Sequence, residues 1–99
     1  MYGRLTTIEF DSPAQRREAL TLLTDTIQSI RRMEGFQAAY YLDVDELHII
    51  VVTIFDSQEE LEAIERQDES LRLRAREIGV RFPRTDQYEV VAFAMTGSP

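Results

Sequence analysis

Residues Leu47–Phe55 read LHIIVVTIF. Successive side chains of a strand point to opposite faces, and here both alternations are mostly apolar. His48 interrupts one face and Thr53 the other. A strand of that kind has to be covered on both sides. The two helices expected in this chain cover one side of a sheet. A second copy of the chain is the cover expected on the other, so the stretch predicts a homodimer through a helix-free sheet face.

Upstream lies Phe36–Leu42, FQAAYYL, a second strand, with the turn at Asp43–Glu46. Strands joined so tightly pair antiparallel. Setting Leu42 opposite Leu47 puts Tyr41 opposite His48, Tyr40 opposite Ile49 and Ala38 opposite Val51. One face of the hairpin then holds Phe36, Ala38, Tyr40 and Leu42 with Leu47, Ile49, Val51, Thr53 and Phe55, and is expected under the helices. The other holds Gln37, Ala39, Tyr41 and Asp43 with His48, Ile50, Val52 and Ile54. It is expected between the two copies.

Further out come the helices. Ser12-Pro13 opens the first, with Ser as N-cap and Pro at the first helical position. Leu20, Leu23, Ile27 and Ile30 recur at spacings of three and four, one apolar stripe. Gly35 is expected at C′, where a positive φ costs Gly little. Ser57-Gln58-Glu59-Glu60 is a capping box opening the second helix. Its stripe runs through Leu61, Ile64, Leu71, Ala75 and Ile78, with Asp68 on the same phase, so a kink or break is expected near 68–70. Gly79 ends it. The first and last strands are expected at Gly3–Phe10 and Gln87–Met95, the last reached from the second helix through a connector at Val80–Arg84 that contains Pro83. The order β-α-β-β-α-β is the ferredoxin-like split βαβ arrangement, an α+β fold. It places a four-stranded antiparallel sheet under two helices on one face.

Composition narrows the function classes. The 99 residues are one domain's worth, 1–99. With 18 acidic against 11 basic residues the chain carries a formal charge of -7. That disfavours nucleic acid and anionic membrane surfaces as partners. There is no Cys, hence no disulfide or thiol chemistry. No apolar run approaches a membrane span, and the first residues lack the apolar centre of a signal peptide. The reading is a cytoplasmic protein. One His and no Cys leave no metal site, and Asp43, Asp45 and Glu46 lack the spacing of a calcium loop. No phosphate or dinucleotide fingerprint is present, and no cofactor is called for.

Gly35-Phe36 after a helix, a short hairpin, and a strand running into Thr53-Ile54-Phe55-Asp56-Ser57-Gln58-Glu59-Glu60-Leu61 together resemble the antibiotic biosynthesis monooxygenase (ABM) domain family. That family is a branch of the dimeric α+β barrel superfamily. The resemblance implies two protomers packed sheet to sheet, with a ligand cleft between helices and sheet in each. It also implies relatives that include cofactor-independent monooxygenases of phenolic or quinol substrates and haem-degrading enzymes. The latter use a His on the second helix. Here the one His is His48, on a strand, so haem degradation is not expected.

The candidate catalytic pair is His48 with Tyr41, which could bind a phenol or move a proton. Against it stands a His hydrogen-bonded at the protomer interface. Tyr40, Phe36, Thr53 and Phe55 are candidate ligand-binding residues for a flat aromatic; against that stands ordinary core packing. Arg72, Arg74, Arg76, Arg81 and Arg84 either attract an anionic ligand or form a solvated face complementing the helix C-terminus. The functional expectation is a small-molecule-binding dimer, an oxidoreductase of the cofactor-independent monooxygenase kind. The alternative is a non-catalytic metabolite-binding or interaction dimer.

Overall fold

The computed structural model describes residues 1–67 and 69–94, with side chains for all of these except 67 and 69–71. Its elements are β1 (Tyr2–Glu9), α1 (Pro13–Ile30), β2 (Phe36–Asp45), β3 (His48–Phe55), α2 (Gln58–Gln67), α3 (Glu69–Ile78) and β4 (Arg81–Glu89). The strands form one antiparallel sheet in the order β2-β3-β1-β4. This is the ferredoxin-like α+β arrangement. The described residues between β3 and β4 form two helices, α2 and α3; Asp68, at the kink or break expected near 68–70, lies outside the described residues. None of the described helices is long and apolar enough to cross a membrane.

The caps follow local chemistry. Ser12 Oγ accepts from the Gln15 N–H at 3.1 Å, closing the start of α1. Ser57 Oγ accepts from the Glu60 N–H at 3.2 Å and donates to Glu60 Oε1 at 2.9 Å, so the capping box closes hydroxyl to carboxylate. Gly79 (φ 94°) ends α3: its N–H reaches the Arg76 carbonyl and the Val80 N–H reaches that of Ala75, a Schellman motif. Gly35 is not the C′ residue of α1. That helix ends at Ile30 with Arg31 as C-cap, and Gly35 (φ 84°) shapes the entry to β2.

The hairpin register differs from the expected one. Phe36 pairs with Phe55, Ala38 with Ile54, Tyr41 with Val51, Asp43 with Ile49 and Asp45 with His48. Gln37 and Val44 are extra residues, two β-bulges, and each reverses the phase of β2. Ala39 and Tyr41 therefore share the helix side with Val51 and Thr53, while Ala38, Tyr40 and Leu42 go to the open side. Leu47 belongs to the turn, not to β3. The last strand is also displaced, to Arg81–Glu89. It pairs along β1 and runs out of partner at Met1, whose carbonyl takes the Val90 N–H at 2.8 Å. Val91 is then 94% exposed, and Met95 lies outside the described residues. Pro83 does not end the strand, because β4 is an edge and Phe82 and Pro83 together face Ile8 in a bulge.

Two apolar clusters hold the helices to the sheet. One gathers Ile8, Phe10, Ala19, Leu22, Ile49, Ala75 and Val80. The other gathers Ile30, Phe55 and Leu61, with Tyr2, Met33, Phe36 and Ile64 against it. Phe36 and Phe55 meet edge to face, ring centroids 5.7 Å apart.

The open face carries Ile50, Val52 and Ile54 at its centre and exposed Leu5, Tyr40, Leu42 and Tyr88 around them. At one end His48 lies between two carboxylates. Its Nδ1 is 2.8 Å from Asp45 Oδ1 and its Nε2 is 3.1 Å from Glu9 Oε2. Arg81 Nε donates to Glu9 Oε1 at 2.8 Å, and Arg81 also reaches Asp11. Hydrogen bonds to Asp45 first and Glu9 second raise the His48 pKa above 6.5. Arg81 and His48 hold Glu9 below the usual carboxylate range, and His48 and the Leu47 N–H do the same for Asp45.

Two outcomes follow. Phe55→Ala empties a fully enclosed site and should cost about 3–5 kcal/mol, read as a lower urea midpoint at unchanged slope. His48 should titrate by NMR above 6.5. Its stabilising share is then full below the unfolded value and lost as pH rises through the folded one. Asp45→Asn should lower the midpoint more than Glu9→Gln; a midpoint unmoved by both would contradict the pairing.

Candidate functional site

The row of side chains between the two clusters does not fill the space under the helices. A cavity of about 300 Å³ remains there, bounded by the sheet, α1, α2 and α3. That is at the small end for ligand pockets. Pairing across the sheet sets its floor. One rung runs Ala39, Thr53, Arg4, Gln87; the next runs Tyr41, Val51, Thr6, Thr85. The walls are apolar: Leu22, Leu23, Ile27 and Ile30 from α1, Ile64 from α2, Ala75 from α3, and Phe82 from the β4 bulge.

Arg4 is the unusual member. It shares the helix side of β1 with Ile8, and only 5% of it is exposed. A buried guanidinium must be paired. With the Gln87 amide oxygen turned toward it, that oxygen accepts from Nη2 at 2.7 Å and Nε at 3.2 Å. Glu65 Oε1, from α2, lies 3.3 Å from Nη2. Burial lowers the Arg4 pKa first, Glu65 opposes this, and Arg72 presses it down again. The group stays protonated at neutral pH. Thr53, 4% exposed, is its cross-strand neighbour.

Tyr41 donates its hydroxyl to the Leu23 carbonyl of α1 at 2.5 Å. Burial pushes the phenol well above its usual range. Its one proton is committed to the helix, so toward a ligand the oxygen can only accept. Thr26 is similarly occupied, donating to the Leu22 carbonyl at 2.9 Å. Arg72 and Arg76 of α3 also line the cavity. The chemistry on offer is an apolar slot with a buried positive charge at its floor and two further arginines along its side.

Of the six residues singled out from the sequence, Thr53 and Tyr41 line this cavity. Phe36 and Phe55 belong to the adjoining apolar cluster. Tyr40 stands on the open side, 51% exposed, because the Gln37 bulge reverses the strand. His48 is across the sheet from the cavity, opposite Asp45 and Glu9 rather than Tyr41. Arg72 and Arg76 are exposed, as a solvated face would be, and also border this cavity. Arg4 was passed over, although a charged residue in phase with Ile8 and Phe10 was a sequence signal for it. Among the described residues no three His, Cys, Asp or Glu side chains gather as metal ligands would.

No family model and no curated protein matches the chain in sequence. Solved structures do match in shape. An ABM-like protein from Deinococcus radiodurans superposes with a TM-score of 0.83 at 16% identity, over 98% of this chain and 100% of that one. A dimeric ferredoxin-like protein from an uncultured marine organism gives 0.75 at 15%, over 96% and 99%. A monooxygenase of Streptomyces coelicolor, solved in complex with nanaomycin D, gives 0.72 at 17%, over 98% and 92%. At such identities the likeness is one of fold: this chain has the fold of the ABM-like proteins, as the resemblance in its sequence implied.

Proposed function

We propose that the chain binds a small aromatic molecule in the helix-side cavity and works as a homodimer closed through the open sheet face. The observation that carries the first part is the cavity itself, apolar-walled, with Arg4 buried at its floor. A protein keeps a charge in such a place at a cost, and a ligand with complementary charge repays it. The monooxygenase of this fold that holds nanaomycin D supports an aromatic ligand. The reaction that suits the site is cofactor-independent oxygenation of a phenolic or quinol substrate. Arg4 would stabilise the oxyanion of the deprotonated ring, and molecular oxygen would accept electrons from it. The ring carbon para to the oxyanion loses its one hydrogen and gains one oxygen atom, the ring becoming a quinone. The second oxygen atom leaves as water with that hydrogen and a proton equivalent to the one the hydroxyl gave up. Among the described residues no titratable base lines the cavity, so the proton passes to solvent.

The dimer rests on the open face, where Ile50, Val52 and Ile54 lie with no helix above them. An apolar sheet face with no helix over it is ordinarily covered by a partner. The dimeric state of the marine ferredoxin-like protein supports it.

Oxygen uptake with a panel of quinols tests the reaction. Arg4→Met should lower turnover roughly a hundredfold, while His48→Ala should stay near wild type. No uptake with any quinol would leave the non-catalytic binding dimer as the reading. Sedimentation equilibrium tests the assembly: a dimer at micromolar concentration, turned to monomer by Val52→Glu. A wild-type monomer there would remove the dimer.

A further inference from the structure

We infer that the ligand carries a fixed carboxylate, and that Glu65 is the chain's own occupant of the place that carboxylate takes. The inference rests on the cavity being the ligand site, as proposed above. Three observations lead to it.

The first is charge distribution. The chain has an excess of seven acidic groups, yet three arginines line this cavity, and the carboxylate that meets two of them is the single one of Glu65. A positive hollow in an acidic protein concentrates anions. The second is the pairing of Arg4. The neutral Gln87 oxygen meets Nε and Nη2, and Glu65 also meets Nη2. Among the described residues no acceptor meets Nη1. The same Glu65 oxygen, Oε1, stands 3.5 Å from Arg72 Nη2. One carboxylate oxygen thus serves two guanidinium groups, from a residue whose side chain is 49% exposed. The Arg72 pair is half exposed on both sides and weak, and the buried Arg4 is met by a single shared oxygen at 3.3 Å rather than by both oxygens of a carboxylate. The third is shape. A guanidinium fork matches two oxygens in a plane, which a carboxylate offers and a phenolate does not. A carboxylate is also ionised at neutral pH without help, which suits a cavity with no base.

In this account Glu65 holds Arg4 and Arg72 while the cavity is empty. An aromatic acid enters, its ring against Leu22, Ile27 and Ile64; its carboxylate takes Arg4, and the hydroxyl on the neighbouring ring carbon lies against the same guanidinium, where the oxyanion of the proposed reaction would form. Glu65 turns out to water. The cavity volume of about 300 Å³ suits a body of one or two rings.

Titration of hydroxynaphthoate and its methyl ester, followed by their own fluorescence, tests this. The pair keeps the phenol and differs in the charge. The wild-type protein should bind the acid roughly tenfold or more tightly than the ester. Glu65→Gln removes the competitor, so it should tighten the acid about threefold or more and leave the ester unchanged. Arg4→Gln should erase the preference; should that variant fail to fold, the Glu65→Gln result on the exposed helix surface still decides. Equal binding of acid and ester by wild type, or weaker acid binding by Glu65→Gln, overturns the inference and leaves the cavity as a ligand site. Binding of neither compound, together with no quinol turnover, removes the ligand site and the inference with it.

Discussion

A guanidinium lies under three helices, and the helix-side layer is organised by the need to keep it there. Arg4 sits on β1, which has a strand on each side, so its backbone is held by two ladders and cannot lift toward water. The charge is instead met where it lies, by Gln87 on one flank and Glu65 from above. The rung Ala39-Thr53-Arg4-Gln87 lies between the two apolar clusters. The polar rung keeps them apart, and the cavity is the space that results. Stability on either side and emptiness between are consequences of one placement.

The elements and their order were legible because they rest on local chemistry: a Ser-Pro helix start, a capping box, a Gly-terminated helix, an apolar nonapeptide. The helix side of β3 was legible too, since Ile49, Val51, Thr53 and Phe55 simply alternate. What was not legible is phase. A bulge adds one residue and leaves no mark in composition, so nothing in FQAAYYLDVD says that Gln37 and Val44 are extra. That single omission sends Tyr40 to the wrong side, sets Tyr41 against His48, and separates the expected catalytic pair by the thickness of the sheet. The last strand was missed for a related reason. Pro83 reads as a stop, and only the pairing with β1 shows that it lies on an edge, where a missing N–H breaks no ladder.

The site was half legible. Thr53 and the helix-side cleft followed from alternation and from the family resemblance. Arg4 did not, because a lone Arg in a loosely alternating strand is usually exposed. Arg72 and Arg76 fit an amphipathic helix as a solvated face equally well. Only the position of α3 over the sheet turns them toward a cavity.

Every irregularity of the sheet falls on an edge strand: Gln37 and Val44 on β2, Phe82 and Pro83 on β4. The inner pair β1 and β3 stays regular. A bulge in either would disturb two ladders and shift both faces at once. Regularity there matters because β3 serves two surfaces. Val51 and Thr53 floor the cavity, while Ile50, Val52 and Ile54 make the apolar centre of the open side. A slip of one residue would exchange them, putting the polar Thr53 into the open face and an isoleucine beside Arg4. The edge strands can be irregular because each answers to one neighbour, and the β4 bulge is what turns Phe82 toward the cavity. The same twofold alternation that demands cover on both sides of LHIIVVTIF thus keeps the two surfaces chemically separate while joining them through one backbone.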